Sequence, residues 1–258
     1  KLGAVDGASF CNFYHPGKNP SFMVFSLPFL PLGDWDVNIE ARQKLFEHPA
    51  LVADMDRWNG MVYAGAVMPQ YEFLGNGKPP KELSDWKGMR VRAGGGIGDA
   101  MEKLGAIKTT TTATEVYTSM QRGTMDAASF PYTYAQAAYK IPEVSDWYTT
   151  NMSPGTSACP TVFSKTSYEK LPPQYKQLLE DLKPEVYEVQ VKAYQDIDKV
   201  NLPKFAAELE GVTYTDAQLE EFRKVAAQPV WSAWVEENKD KFNGQELIDV
   251  IFETAGQK

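Results

Sequence analysis

Residues 85–130, DWKGMRVRAGGGIGDAMEKLGAIKTTTTATEVYTSMQRGTMDAASF, constrain the fold most, because strand-like and helix-like apolar periods alternate along them. Residues 89–93 read as a short apolar and basic strand that runs into Gly94, Gly95, Gly96 and Gly98. Ala100, Met101 and Leu104 then give a helical face closed by Gly105, and a second strand follows over 106–111. Thr112 and Glu115 have capping-box spacing and open a helix with Val116, Tyr117 and Met120 inward; it ends at Gly123, before a strand over 125–130. This alternation predicts a parallel sheet with helices on its faces.

In open α/β sheets ligands bind outside the carboxyl ends of strands, and Arg92 and Phe130 both fall at such ends. Arg92 also lies beside a glycine-rich helix start, whose free N–H groups favour an anion. It is the first ligand candidate: a planar guanidinium holds a carboxylate by two parallel bonds, and a charge-assisted bond contributes about 1.5–3 kcal/mol. The competing reading makes Arg90 and Arg92 solvated neighbours on one strand face.

Composition narrows the function. A chain of 258 residues buries one large or two modest cores, and a net charge of -8 argues against nucleic acid and anionic membrane surfaces. The most apolar stretch, 22–32, is broken by Pro28 and Pro31 and is too short to cross a bilayer. No register of residues 94–101 gives G-x-G-x-x-G, and the chain has no P-loop, G-x-S-x-G, H-E-x-x-H or paired-cysteine metal motif. Cys11 and Cys159 fall on separate predicted strands; buried free thiols are favoured over a disulfide, since pairing cannot be read from spacing. Nothing orients either cysteine with His15 or His48 as a catalytic pair.

In chain order, 4–10 reads as a strand with the loop NFYHPGKNP at its carboxyl end, 39–45 and 49–59 as helices, and 62–68 as a nearly continuous apolar strand of the doubly covered parallel kind. Residues 132–140 read as a short helix, and 143–150 and 157–164 as strands. From Pro172 onward the pattern is helical, with Pro184 and Pro203 expected to bend or break the first helix. Two more helices follow, over 216–237 with a break at Pro229 and over 245–255. Their apolar stripes are most simply core, a dimerisation face being the alternative.

KGMRVRAGG and EVYTSMQRGTMDAASFP resemble the solute-binding proteins of tripartite ATP-independent periplasmic (TRAP) transporters, the DctP-like family. The resemblance runs over nearly the whole chain, through PFLP near the start and FSKTSYEKLP later, and the E-V-Y helix is its most specific part. It implies an α/β, two-lobed periplasmic binding protein fold, each lobe a mostly parallel sheet flanked by helices, with a long helix spanning both. Lobe I would comprise 1–69 plus 156–200, and lobe II 70–155 plus 201–258. The opening KLGAVDGASF resembles the middle of a family member, so roughly two βα units and any leader are expected ahead of Lys1. Export to the periplasm is expected from the resemblance alone.

The resemblance also places candidate site residues. Tyr14 and His15 would face the cleft, as would Gln70, Tyr71 and Glu72 where the chain crosses between lobes. A solvated loop carboxylate is slightly favoured for Glu72; facing the ligand, it would suit a hydroxyl or amine donor. Ser157, with Trp147, Ser153 and Thr156, would line the return crossing. Many relatives carry a glutamate and an asparagine where this chain has Ser129 and Phe130. A phenyl wall there favours a monocarboxylate with an apolar or aromatic body, or a 2-oxo acid, and no metal or cofactor is expected. The implied function is capture of a small organic acid and delivery to TRAP permease subunits, by a monomer or, alternatively, a homodimer. An enzyme acting on a carboxylate and a ligand sensor are the alternatives; the enzyme lacks a nameable nucleophile and base.

Overall fold

A computed structural model of the chain describes residues 3–65 and 67–257. Strand β1 (Gly7–Ser9) leads through 3-10 turns at Asn12–Tyr14 and Pro20–Ser26 into α1 (Trp35–Phe46) and α2 (Pro49–Asp56). Asp34 caps α1 by accepting from the N–H groups of Asp36 and Val37, and Pro49 opens α2 at a position where no N–H is needed. After β2 (Gly60–Ala64) the chain crosses to a second lobe made of β3 (Tyr71–Gly75), β4 (Arg90–Arg92), α3 (Gly95–Lys103), β5 (Ile107–Thr109), α4 (Ala113–Gln121), β6 (Ala127–Pro131), α5 (Tyr134–Ala138) and β7 (Trp147–Thr149). It returns through β8 (Thr161–Ser164) and α6 (Lys165–Glu169), then runs along α7 (Pro173–Glu208) to β9 (Glu210–Val212), α8 (Asp216–Asn238) and α9 (Gly244–Thr254).

Six strands form one sheet in the order β5-β4-β6-β3-β7-β9, and three form the other, β1-β8-β2. The predicted strand–helix alternation holds in the larger sheet, where β4 is parallel to both β5 and β6. There β3 runs antiparallel to β6 and β7, and in the smaller sheet β8 runs antiparallel to β1 and β2. The expected mostly parallel pairing is therefore not found in the smaller sheet among the described residues. The reason is geometric: β3 and β8 are the strands that have just crossed between lobes, so each enters its sheet from the cleft end and opposes its neighbours. The apolar run 62–68 is likewise no doubly covered parallel strand. It is β-structure only as far as Ala64, half-buried over most of that length, and the buried Val67 and Met68 belong to the crossing. Thr112 and Glu115 do not form a capping box; the Thr112 hydroxyl donates to the Glu115 carboxylate at 2.7 Å instead.

Two helices tie the lobes together. Helix α7 continues through Pro184 and Pro203; Tyr187 packs with Ala64 and Val67, while Phe205 joins Tyr148 and Phe130 under the larger sheet. Helix α8 behaves similarly. Leu219, Phe222 and Ala226 pack with Phe73, Trp86 and Trp147, whereas Val230, together with Leu247, Ile248 and Ile251 of α9, packs with Phe22, Phe25 and Leu45. The expected assignment of 201–258 to lobe II thus divides near Pro229, inside α8. An apolar stripe reports that a helix is buried, not which core receives it.

Cys11 and Cys159 form a disulfide, against the expectation of free thiols. The β1–β8 pairing continues past β1, with Phe10 N–H donating to Pro160 O and Asn12 N–H to Ala158 O, and this sheet register brings the two Cα atoms to 4.0 Å. The bridge closes a loop with a sequence separation of 148. Thermal melts with and without reductant should differ by about 2–4 kcal/mol of stability, the oxidised form being the more stable. Coincident melts would contradict the bridge.

Candidate functional site

Strand β3 opposes β6, so its first residue, Tyr71, faces Pro131, and the start of β3 converges with the ends of β4 and β6. Arg92 ends β4 here and is 3% exposed. Its Nη1 donates to Ser129 O at 2.7 Å, Nε to Thr111 O at 3.2 Å and Nη2 to the Tyr14 hydroxyl at 3.1 Å. The guanidinium carbon lies 4.6 Å from the centre of the Phe130 ring and 5.7 Å from that of Phe13. Every one of these partners is neutral. A guanidinium has five N–H donors in a rigid fork, so Arg92 keeps donors for a guest carboxylate.

Arg92 lines a cavity of about 270 Å³ together with three other candidates named from the sequence, Tyr14, Tyr71 and Phe130. Ser157 stands behind Tyr71, with its hydroxyl 2.6 Å from the phenol oxygen. Burial pushes the Tyr71 phenol up to about 12, against the opposing effects of that hydrogen bond and of Arg92, so it stays a neutral hydrogen-bonding group. The other candidates lie elsewhere. His15 is exposed and outside the cavity lining. Gln70 is half-buried; its carbonyl accepts from Tyr132 N–H and its side chain does not line the cavity.

Glu72 is not a solvated carboxylate, and it does not line this cavity. It is 2% exposed and accepts from the Thr149 hydroxyl, from Met152 N–H at 3.1 Å, and from Ser153 N–H and Oγ at 2.8 and 2.9 Å. Burial raises its pKa and those four hydrogen bonds oppose the rise. Its work is to pin the return crossing to β3. The glycine-rich break is corrected too. It does not line this cavity but meets the other lobe: a Cβ on Gly94 would lie 2.3 Å from the Phe13 ring, and one on Gly96 2.7 Å from Ser26 O. Glycine there lets the start of α3 seat against residues 13–27.

The reading from sequence missed the rest of the aromatic wall. Phe13, Tyr134, Tyr139 and Tyr194 line the cavity with Met68 and Gln190. Tyr139 stacks on Phe130 at 5.5 Å, Tyr134 on Tyr194 at 4.8 Å, and the Tyr134 and Tyr194 hydroxyls both donate to Met68 Sδ. The signal was present as FPYTYAQAAY after Phe130 and as Tyr187 and Tyr194 one heptad apart on α7. A larger cavity of about 570 Å³ lies between residues 13–27, α3 and α8, but its lining carries three carboxylates, Asp99, Glu102 and Glu237, as well as Lys103, Lys108 and Lys241, and Lys108 pairs with Asp99. The smaller cavity, with an unmatched cation, is the better anion site. Its lining contains no histidine and no carboxylate among the described residues.

Glu72→Gln should leave acid binding within about twofold while lowering stability by about 1–3 kcal/mol, because an amide cannot accept from all four donors. The raised carboxyl contributes stability below its ordinary value of 4.5 and loses it as pH rises through the raised value, so chemical unfolding across pH should show that slope in the parent and not in the variant.

Comparison with known proteins bears on the fold and the family. A curated solute-binding protein of Albidiferax ferrireducens is 27% identical over 252 residues, covering 93% of this chain and 71% of that protein. Among solved structures, a TRAP periplasmic solute-binding protein from Desulfovibrio salexigens with bound orotic acid superposes with a TM-score of 0.86 at 23% identity, over 99% of this chain and 81% of that one. A TRAP solute-binding protein from Rhodoferax ferrireducens with copurified benzoate gives 0.83 at 22% identity, over 98% and 80%. These likenesses establish the two-lobed fold. Residues 1–238 match the family model for bacterial extracellular solute-binding protein, family 7 (DctP), and the chain belongs to that family.

Proposed function

We propose that this chain captures a small organic acid between its lobes, in the periplasm, and delivers it to the membrane subunits of a TRAP transporter. The observation that carries the reading is Arg92: a buried guanidinium with neutral partners, at the junction of three strand ends, bonded across the cleft to Tyr14 of the first lobe. The guest carboxylate takes the free donors of Arg92 and displaces or shares the Tyr14 hydroxyl. Its body lies against Phe130, Tyr134 and Tyr194. A cavity of about 270 Å³ is slightly below the usual range for drug-sized ligands, which favours a small acid.

The aromatic lining supports a flat, apolar acid, in keeping with the benzoate held by one relative; the orotic acid held by another shares the flat ring and the carboxylate but is polar. Binding works by population shift. The acid touches Arg92 and Phe130 from one lobe and Tyr14 from the other, so its affinity for the closed arrangement exceeds that for the open one. The permease then recognises the closed form of a monomeric binding protein. No bond is made or broken in this cycle.

A thermal-shift screen of mono- and dicarboxylates should find aromatic monocarboxylates raising the melting temperature most. With the best acid, Arg92→Ala should lower affinity in calorimetry about ten- to hundredfold, the equivalent of one charge-assisted bond. An affinity unchanged in that variant rejects the anchor. Phe130→Asn should shift the preference toward dicarboxylates, since an amide replaces an apolar wall with hydrogen-bonding atoms; a preference that does not move removes Phe130 from specificity.

A further inference from the structure

Arg42 lies in α1, in the first lobe, with 0% of the residue exposed. Its Nε donates to Asn38 Oδ1, its guanidinium carbon sits 4.8 Å from the centre of the Phe25 ring, and its Nη1 and Nη2 are buried with no hydrogen-bond partner among the described residues. No carboxylate among the described residues forms an ion pair with it or with Arg92. Burial pulls its pKa down to about 9, which still leaves it charged at neutral pH. A charge buried in this way is destabilising, and an apolar side chain of similar length would fill the same space at less cost.

The surroundings of Arg42 connect it to the ligand cavity. Asn38, which holds its Nε, donates to Met68 O at 3.4 Å and to Leu32 O at 2.9 Å, and Met68 lines the cavity. The phenols on which its charge acts are Tyr187, Tyr71 and Tyr194, and the last two line the cavity as well. Tyr71 feels the charges of both Arg92 and Arg42. It is therefore within electrostatic reach of a guanidinium from each lobe.

We propose that Arg42 is a second anion-selecting charge of this site, acting from the first lobe through Tyr71 and Tyr194 without touching the guest. This rests on the organic-acid reading and deepens it. In the empty cleft two uncompensated cations on opposite lobes oppose closure; an anion between them reverses the sign of that interaction and favours closure. Selection for negative charge then resides in both lobes rather than in Arg92 alone. Arg42 is a positioning residue, its effect transmitted through the field and the two phenols. Its cost to stability is the counterpart of its use in binding.

The test uses benzoate and its uncharged amide, benzamide, as probes on the parent chain, Arg42→Met and Arg42→Lys, with affinities from calorimetry and melting temperatures from calorimetric scans. Arg42→Met is expected to melt at or above the parent temperature, to lose about five- to tenfold in benzoate affinity and to keep its benzamide affinity. Arg42→Lys should retain the benzoate affinity only at pH values that leave its buried ammonium charged, and fall to the level of Arg42→Met above them. If Arg42→Met does not fold, Arg42→Gln, which keeps a donor for Asn38 and removes the charge, is read in its place with the same expectation. Benzoate affinity within twofold of the parent in the neutral variant overturns the proposal, whatever the melting temperature does, and leaves the organic-acid reading standing. A parent chain that binds neither benzoate nor any other acid overturns both.

Discussion

A cation held away from water by neutral partners is the constraint on which the rest of this structure depends. Arg92 has two backbone carbonyls and one phenol for company, and two aromatic rings beside its guanidinium carbon. Such an environment is tolerable for a guanidinium, whose charge is delocalised and weakly hydrated, and would be poor for an ammonium. It leaves the charge uncompensated by any fixed carboxylate, which is the condition for an external acid to gain by entering. Arg42 apart, other buried or half-buried charges are met internally: Asp54 by Arg57 and the Ser21 hydroxyl, Arg90 by Asp126, Glu72 by four donors. The contrast separates structural charge from functional charge.

The topology makes that contrast possible. Because β3 enters its sheet from the cleft side, its first residues and the last residues of β4 and β6 share one edge, and the wall of the site is assembled from three strand ends and a loop of the other lobe. The Cys11–Cys159 bridge fixes the base of that loop close to Phe13 and Tyr14, while Gly94 and Gly96 let α3 approach it closely. Helices α7 and α8 pass between the lobes and join the two cores. Any closing motion must therefore bend or pivot these two helices and the two crossings, which restricts it to a hinge-like rotation rather than a free separation.

Much of this was legible in the sequence, and the parts that were not share a cause. The β4–α3–β5–α4–β6 alternation, the strand-end positions of Arg92 and Phe130, and the passage of a long helix between lobes follow from local periodicity and from family resemblance. The disulfide, the orientation of β3 and β8, and the division of α8 near Pro229 depend on which distant segments lie side by side, and no local window carries that information. Glu72 illustrates the limit: a carboxylate in PQYEFLG looks solvated until the return crossing at Met152 and Ser153 folds over it. Tyr134 and Tyr194 are similar, becoming cavity wall only where α5 meets α7.

Anchoring of the guest by Arg92 is decided by a crystal structure of the chain with the acid that stabilises it most. That anchoring predicts the acid's carboxylate within hydrogen-bonding distance of the Arg92 Nη atoms and of the Tyr14 hydroxyl, with its body against Phe130. A complex in which Arg92 keeps its present three partners while the acid occupies the larger cavity beside α3 and α8 would contradict it.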